Sequence, residues 1–279
     1  MVILQHKKQS LTMTSMHRKH LSLQPRDYAL LQALSDYRYL TTTQLRDMFF
    51  SKGPFIYRRL KKLADYGLLT RIQREIIGSS SEFVHALSPD GAHHLSHHLG
   101  LPTSTFTIHR KASRNLLEHE LALNVFRLAF EQAVGLHNDL NIEKWDTKFR
   151  IRLPNHTTLI PDAHVVLTTP RGKTHFFVEL DRFTESIHRV FRKKLVTYAA
   201  YHQSGRFITD CQAKLFRVLV ITSHAHAVTL LTSACHNIIP SGIFWFTHQN
   251  LIEIKQVLTG NIWQRLDRPN SLSALYKTD

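Results

Sequence analysis

The chain contains two strand-like runs, residues 159–167 and 174–181, joined by a tight turn around Pro170, Arg171 and Gly172. Apolar runs on either side of a turn that contains Pro and Gly are typical of a β-hairpin. If Pro170 and Arg171 form the centre of the turn, the register of every cross-strand pair is fixed. This hairpin constrains the fold most, since it requires a sheet and determines which side chains share a face of that sheet.

Acidic residues lie on both strands of the predicted hairpin. In this register Asp162 is directly opposite Glu179, with about 5 Å between their Cβ atoms. Because side chains alternate between the faces of a strand, Phe177, Glu179 and Asp181 share one face. Two carboxylates in apolar surroundings repel each other unless a cation or a proton lies between them. One hypothesis is a Mg²⁺ ion bound by these oxygens and a phosphodiester; the alternative is a set of solvated strand ends.

The second part of the chain, residues 113–279, alternates between helix and strand patterns. It begins with a long helix that is apolar on two sides and is therefore expected to pack on two sides. The other predicted elements are strands at 148–153, 159–167 and 174–181, a helix at 185–203, a strand at 214–222, a helix at 225–236, a strand at 242–247 and a final helix from Gln249. This alternation predicts a three-layer α/β domain, and an α+β class for the whole chain.

The first part of the chain is strongly basic. Lys and Arg outnumber Asp and Glu by 36 to 21 in the whole chain, and by 14 to 5 in residues 1–75. Such an excess of positive charge favours a polyanionic partner, most simply nucleic acid. Residues 1–22 are polar, basic and aperiodic, and they predict a flexible tail.

Three short helical patterns, the first beginning at Pro25, follow the predicted tail. Two strand patterns around a Gly-Ser-Ser-Ser turn come next, and Ser88 and Gly100 are predicted to begin and end a fourth helix. This order predicts a winged helix-turn-helix domain over residues 23–100, with a linker at 101–112. The alternative is a small helical domain with a solvated basic face.

The third helical pattern has an apolar stripe and a basic outer face. At 100° per residue its apolar positions fall within a narrow arc: Ile56, Leu60 and Leu63. The candidates for DNA contact lie opposite that arc or flank it: Phe55, Arg58, Arg59 and Lys62. A helix that enters the major groove requires such a face. Arg71 and Arg74, on the first predicted wing strand, are expected to reach phosphate or the minor groove.

The acidic hairpin resembles the core of the PD-(D/E)XK nuclease superfamily. The resemblance rests on "PD" at Pro161 and Asp162, on "ELD" from Glu179 to Asp181, and on the helix that follows. It implies a restriction-endonuclease-like fold, Mg²⁺ as cofactor, and Asp162 and Glu179 as catalytic metal ligands, with Asp181 as a further ligand. In that superfamily a lysine stabilises charge two residues after the second acid, and here Asp181 occupies that position.

The helix at 185–203 can supply the missing lysine. Its inward face combines Ile187, Phe191, Lys194, Tyr198 and Tyr201. A lysine on an inward face needs either a charged partner or a route to water, so Lys194 is expected to reach the carboxylates or to extend to solvent at the helix end. Glu120, on the long helix, resembles the extra acid that the first core helix of these nucleases often contributes.

A second resemblance covers most of the chain and is narrower. The segments "TTTQLRDMFF", "RRLKKLADYGLL", "LSPDG", "EHELALNVF", "IPDA" and "VELDRFTES" occur in an order similar to that of the replication-relaxation family of plasmid and mobile-element proteins. This resemblance implies a DNA-binding protein that acts in replication, DNA relaxation or mobilisation, or their regulation.

Three functions are compatible with these patterns. The first is a DNA-binding accessory protein whose nuclease-like domain does not turn over, and the second is a Mg²⁺-dependent endonuclease that uses Asp162, Glu179, Lys194 and Glu120. The third is a winged-helix regulator with a protein-interaction domain. The expected partners are double-stranded DNA, replication or transfer proteins, and a second copy of the chain on a palindromic site.

The cysteine content and the hydropathy pattern limit the compartment. Cys211 and Cys235 are the only cysteines, too few for a disulfide framework or a zinc ribbon. No apolar run reaches the length of a membrane span, and no apolar segment of a secretory signal follows Lys7 and Lys8. The sequence therefore predicts a cytoplasmic protein without a membrane partner.

Overall fold

The computed structural model describes residues 21–50, 55–74, 81–108, 112–154, 156–182, 187–239 and 241–277. The chain divides into two compact units, Met1–Ser113 and Arg114–Asp279. Helices and strands occur in both, which confirms the mixed α and β class. Most of the predicted tail, residues 1–20, and residues 78–80 of the predicted wing turn lie outside the described residues. In the described part of the chain, no helix is both long enough and apolar enough to cross a membrane.

The first unit contains four helices and a small sheet in its described part. The elements are α1 (Pro25–Tyr37), β1 (Leu40–Thr41), α2 (Thr42–Phe49), α3 (Phe55–Asp65), β2 (Leu69–Arg74), β3 (Glu82–Leu87) and α4 (Pro89–Leu99). The strands are arranged in the order β1-β3-β2. Strands β2 and β3 are antiparallel, with Leu69 opposite Leu87 and Arg74 opposite Glu82.

Side-chain caps determine where α2 and α4 begin. Thr41 Oγ1 accepts a hydrogen bond from the Gln44 N–H at 3.1 Å, and Gln44 Oε1 accepts one from the Thr41 N–H at 2.9 Å. Ser88 Oγ accepts from the Gly91 N–H at 2.9 Å, and α4 ends at Gly100 in the left-handed conformation, with φ at 65°. Such caps satisfy amides of the first helical turn and stabilise a helix by about 1 kcal/mol each. The predicted start and end of α4 are confirmed.

The core of the first unit includes the predicted apolar stripe of α3. Ile56, Leu60 and Leu63 are all buried against the rest of the unit. The first residues of the predicted linker, 101–108, also pack on this unit. Phe106 is buried, and the Thr107 N–H donates to Ser35 Oγ of α1 at 2.9 Å. This segment therefore belongs to the first unit.

The second unit is built around a seven-stranded sheet. Its elements are α5 (Arg114–Gly135), β4 (Asn141–Asp146), β5 (Ile151–Arg152), β6 (Thr158–Leu159), β7 (Ala163–Thr169), β8 (Gly172–Asp181), α6 (Ile187–Gln203), α7 (Arg206–Cys211), β9 (Phe216–Thr222), α8 (Ala225–Cys235), β10 (Phe244–His248), β11 (Trp263–Arg265) and β12 (Arg268–Ser273). The strand order is β12-β11-β10-β9-β8-β7-β4. The pairs β8–β9 and β9–β10 are parallel, and the other pairs are antiparallel.

Packed elements cover both faces of this sheet. On the α5 face, Phe126 and Phe130 of α5 lie in one apolar cluster with Phe176 of β8 and with the segment that leads into β11. On the α6 face, Leu195 of α6 and Leu231 of α8 lie in a second cluster, which includes Phe177 of β8. Phe176 and Phe177 thus point to opposite faces, as the alternation of a strand requires.

The hairpin of β7 and β8 has the register that the turn predicts. Ala163 is opposite Val178 and Thr169 is opposite Gly172. Just before β7, the Asp162 N–H donates to the Val178 carbonyl at 3.1 Å. The predicted register is therefore confirmed for the paired residues of β7 and β8, whereas Asp162 precedes β7 and its N–H bonds to Val178 rather than to Glu179, the residue predicted opposite it.

The strand predicted at 148–153 is wrong as a strand of the main sheet. The neighbour of β7 is β4, which begins at Asn141, whereas β5 pairs only with β6 in a separate two-stranded sheet. Strand β4 lies at the edge of the sheet and exposes polar residues such as Lys144. An edge strand with this composition lacks the apolar alternation by which a strand is recognised.

The final helix predicted from Gln249 is also wrong. A 3-10 turn at Gln249–Leu251 is followed by further turns and by the antiparallel strands β11 and β12. Val257 and Trp263 are buried on the α5 face, and the Trp263 indole N–H donates to the Val257 carbonyl at 3.0 Å. The apolar residues of this segment therefore reach the core from an irregular backbone, and their spacing imitates a helical pattern.

Candidate functional site

A buried carboxylate, Glu179 near the end of β8, forms the centre of a polar cluster in the second unit. Glu179 Oε2 accepts a hydrogen bond from Lys194 Nζ at 2.7 Å, and Oε1 accepts one from the Tyr198 hydroxyl at 2.6 Å. Lys194 and Tyr198 are one helical turn apart on α6, so both side chains point to the same place. The side chain of Glu179 has no exposed surface, whereas that of Lys194 is 32% exposed.

Asp162 lies beside this pair and is bound from two directions. Asp162 Oδ2 accepts from the backbone N–H of Leu180 at 2.7 Å, and Oδ1 lies 3.3 Å from Nε2 of His119 on α5. Elements on both sides of the hairpin thus hold Asp162, Glu179 and Lys194 within one cluster. We call Asp162, Glu179, Lys194, Tyr198 and His119 the polar cluster.

The charges of the polar cluster shift the pKa values of its members. Burial, and then the charge of Asp162, raise the pKa of Glu179 to about 7, although Lys194 and Tyr198 act in the opposite direction. Burial alone would lower the pKa of Lys194, but the charges of Glu179 and Asp162 outweigh it and raise that pKa. Lys194 is therefore a cation at neutral pH, and Glu179 takes up or loses a proton near that pH.

His119 and Asp162 form a second charge pair. The hydrogen bond to Asp162 raises the pKa of His119 despite burial. Burial would raise the pKa of Asp162, but the hydrogen bond from His119 and the charge of Lys194 lower it. The negative charge of Asp162 thus favours protonated His119, and the positive charge of His119 favours ionised Asp162.

The other two predicted acids lie close to this arrangement. Asp181 is buried at the end of β8, and its charge contributes to the raised pKa of Lys194. Glu120 is buried on α5, next in sequence to His119, and its charge acts on the pKa of that histidine. The side chain of Ile187, predicted on the face of Lys194, lies outside the described part of the chain.

Sequence reasoning missed two members of the polar cluster. Tyr198 was placed on the correct helix face but only as an apolar contact, although its position four residues after Lys194 aims its hydroxyl at the same partner. His119 had a weaker signal, because only the fold shows that α5 passes beside Asp162.

The carboxylate oxygens that were predicted to bind Mg²⁺ contact protein donors in this arrangement. Mg²⁺ requires near-octahedral oxygen ligands at about 2.0–2.1 Å. Each carboxylate oxygen of Asp162 and Glu179 already lies within 3.3 Å of a protein donor, and the ammonium of Lys194 lies against Glu179. The ammonium of Lys194 places one positive charge beside the two carboxylates.

The exposed face of α3 is the second candidate site. Phe55, Tyr57, Arg58 and Lys62 are exposed there, and the guanidinium of Arg58 lies 5.1 Å from the centre of the Phe55 ring. Arg59, predicted to contact DNA with them, points elsewhere. Its guanidinium forms an ion pair with Asp27 of α1, a fully buried acid, and donates to the Ser22 carbonyl at 3.0 Å.

A pocket of about 250 Å³ lies between α3 and the two strands of the hairpin β2–β3. Arg71 stacks on the ring of Phe83 at 3.9 Å and lines the pocket together with Tyr57 and Arg58. His85 lies on its wall, and burial followed by the charge of Arg71 lowers its pKa to about 4, so it is neutral. Nη1 of Arg74, the other predicted wing residue, lies 3.9 Å from Oε2 of Glu82.

A family model matches the chain. The sequence model of a family described as replication-relaxation matches residues 31–215, about two thirds of the chain. The matched region includes α3 and the whole polar cluster, and it confirms the resemblance seen in the sequence. Neither the curated proteins nor the solved structures contain a match to the chain.

Proposed function

The chain belongs to the replication-relaxation family, and from that premise we propose that it binds double-stranded DNA through its first unit. Membership suggests a role in the replication or relaxation of a plasmid or mobile element. Within that role, the proposed activity is that of an accessory or regulatory protein that recognises DNA without cleaving it.

The observation that carries this proposal is the division of α3 into a buried apolar stripe and an exposed basic face. Arg58 and Lys62 lie on the exposed face, while Arg59 is held by Asp27. The order of helices and strands in the first unit supports a winged helix-turn-helix, with α3 as the helix that enters the major groove. In this proposal, Arg58 and Lys62 contact DNA directly, and Arg59 orients α3 on α1.

The hairpin β2–β3 supports a second DNA contact. Arg71 is stacked on Phe83 rather than paired with an acid in the described part of the chain, so its charge is available to a phosphate. Arg74 lies near Glu82 and contributes less positive potential. We therefore propose Arg71 as the phosphate contact of the wing.

Contacts with replication or transfer proteins, and a homodimer on a palindromic site, are further proposals that rest on the sequence.

Retention of duplex DNA in a mobility-shift assay tests the proposal. We expect Arg58→Ala to weaken binding by about 1–3 kcal/mol, as for loss of one base or phosphate contact by an exposed arginine. Lys255→Ala removes the same charge from an exposed position in the second unit and is the matched control. Equal binding by wild type and Arg58→Ala would exclude α3 as the DNA-binding element.

A Mg²⁺-dependent endonuclease is the second candidate function. The convergence of Asp162, Glu179 and Lys194 favours it, since these are the types of residue that a PD-(D/E)XK nuclease uses. The engagement of Glu179 by Lys194 and Tyr198 argues against it, because both oxygens would have to change partners to bind a metal.

Nicking of supercoiled plasmid in Mg²⁺ or Mn²⁺ separates the two candidates. The accessory role predicts that wild type and Asp162→Ala leave the plasmid supercoiled to the same extent. Nicking by wild type that Asp162→Ala abolishes would instead establish the nuclease, provided that Asp162→Ala still retains duplex DNA.

A further inference from the structure

A second group of chemically reactive side chains lies on the α6 face of the sheet, apart from the polar cluster. His164 of β7, His175 of β8 and Cys211 at the end of α7 each offer a ligand atom, and these three atoms lie within 4.8 Å of one another. The closest pair is Nε2 of His164 and Nδ1 of His175, at 3.1 Å. No other such group of three occurs in the described part of the chain.

The surroundings hold these side chains in place. His164 and His175 are both almost fully buried, and the ring of His164 lies against Phe149 and Phe177, with centroids at 4.4 and 4.8 Å. Cys211 is only half-buried, so a route from solvent reaches the group. The Tyr201 hydroxyl lies 3.8 Å from Cys211 Sγ and donates to Asp210 at 3.1 Å, which restrains α7 at this point.

We propose that His164, His175 and Cys211 bind a zinc ion. Tetrahedral zinc, with bonds of about 2.0–2.1 Å to nitrogen and 2.3 Å to sulfur, places its ligand atoms about 3.3–3.6 Å apart. The 3.1 Å separation of the two nitrogens is close to that value, and the widest separation in the group requires a shift of about 1 Å by one side chain. Binding forms two zinc–nitrogen bonds and one zinc–sulfur bond. The thiol proton of Cys211 passes to water, and the ring proton between His164 Nε2 and His175 Nδ1 moves to the outer nitrogen of its own ring.

The donor atoms favour zinc over the hard cations. Two imidazole nitrogens and one thiolate sulfur suit zinc, whereas Mg²⁺ selects oxygen ligands. Both imidazoles would bind zinc as neutral rings, each through the lone pair of one nitrogen.

The fourth position of the zinc ion is assigned to a water molecule. Asp146 is opposite His164 in the sheet and is the acid whose charge acts on that histidine. Its Oδ1 accepts from the Lys148 N–H at 2.7 Å, however, and its Oδ2 pairs with Lys144 at 3.0 Å. Both oxygens of Asp146 are therefore engaged by protein donors.

The ion would link α7 to the middle of the β7–β8 hairpin, whose open end carries Asp162 and Glu179. Its role is to stabilise the folded second unit, because zinc binds the assembled ligands and not the unfolded chain. This inference does not depend on DNA binding or on the activity of the polar cluster.

Metal content and cobalt spectroscopy test the proposal on the full-length protein. We expect protein purified under reducing conditions without chelator to retain about one zinc per chain. Cobalt substituted for zinc should give a thiolate-to-cobalt charge-transfer band and the intense visible bands of tetrahedral coordination. Zinc should also raise the midpoint of thermal unfolding, and a chelator should lower it.

Variants assign these signals to the three residues. Cys211→Ser and His175→Ala should each lose the zinc and the cobalt bands, whereas Cys235→Ala, which removes the other cysteine, and Asp162→Asn, in the polar cluster, should retain both. His175→Ala decides the matter if Cys211→Ser does not fold. Wild type that takes up no cobalt with a charge-transfer band would overturn the proposal, as would a Cys211→Ser variant that gives the wild-type spectrum.

Discussion

Glu179 has no exposed surface, and its two carboxylate oxygens accept hydrogen bonds from Lys194 and Tyr198. Burial raises its pKa from 4.5 to about 7, so the folded protein holds this proton more tightly than the unfolded chain does. The contribution of protonated Glu179 to the free energy of unfolding is complete below pH 4.5 and is lost as the pH rises through 7. Above that pH the charge of Lys194 compensates the ionised carboxylate.

We therefore predict that Lys194→Met destabilises the protein in a pH-dependent way. At pH 8 the variant leaves an ionisable buried carboxyl without its cation, and we expect a loss of about 3 kcal/mol in the free energy of unfolding. At pH 5.5 Glu179 is protonated in both proteins, and the loss should be about 1 kcal/mol or less. Urea unfolding at the two pH values measures the difference.

Lys193→Met is the control for that measurement. Lys193 is the neighbouring residue on α6 but is exposed, so its replacement should change the free energy of unfolding by at most about 0.5 kcal/mol at either pH. An equal loss at pH 5.5 and pH 8 for Lys194→Met would show that the lysine stabilises the fold through packing rather than through the charge of Glu179.

At the scale of elements, an ion pair joins α1 to α3. Asp27 of α1 is fully buried, accepts from the Gln24 N–H at 2.7 Å, and pairs with the guanidinium of Arg59 on α3. Arg59 therefore holds α3, the helix that we propose to contact DNA, against α1. Its exposed neighbour Arg58 makes no such ion pair in the described part of the chain.

We predict that Arg59→Ala destabilises the first unit by about 3 kcal/mol, because it leaves the buried charge of Asp27 uncompensated. Arg58→Ala should cost at most about 0.5 kcal/mol, since its side chain is exposed. The two variants thus separate folding from DNA binding. Chemical unfolding and DNA retention should be measured on the same samples. An Arg59→Ala variant with full stability but no DNA binding would contradict this assignment.

Elements with strong local signals were predictable from the sequence. The caps at Ser88 and Gly100, the stripe of α3 and the register of the β7–β8 hairpin each depend on neighbouring residues, and the structure confirms them. The edge strand β4 and the buried irregular segment before β11 were not predictable, because the core that buries them is formed by residues distant in sequence. Helix α7 was missed because it spans only six residues.

In the candidate sites, too, contacts between neighbouring residues were predictable and contacts between distant elements were not. The hairpin register placed Asp162 opposite Glu179, and helical spacing placed Lys194 on the inward face of α6. The approach of His119 to Asp162, and of Cys211 to His164, joins elements far apart in the sequence, so only the assembled second unit brings these side chains together.

At the scale of the whole molecule, positive charge is concentrated in the first unit. The polar cluster, which is centred on the buried Glu179, lies in the second. Residues 1–75 carry 14 Lys and Arg against 5 Asp and Glu. The family match covers residues 31–215, which include parts of both units. We propose that α3 recognises DNA and that the buried ion pairs of the second unit have a structural role.

The salt dependence of duplex DNA binding tests this account most directly. Loss of a phosphate contact lowers the slope of log affinity against log salt by about one, because fewer counterions are released. We predict that the double variant Arg58→Ala/Lys62→Ala binds more weakly and has a slope smaller by about two. Lys193→Ala/Lys255→Ala, which removes the same net charge from the second unit, should keep the wild-type slope; identical slopes for wild type and the α3 variant would contradict the account.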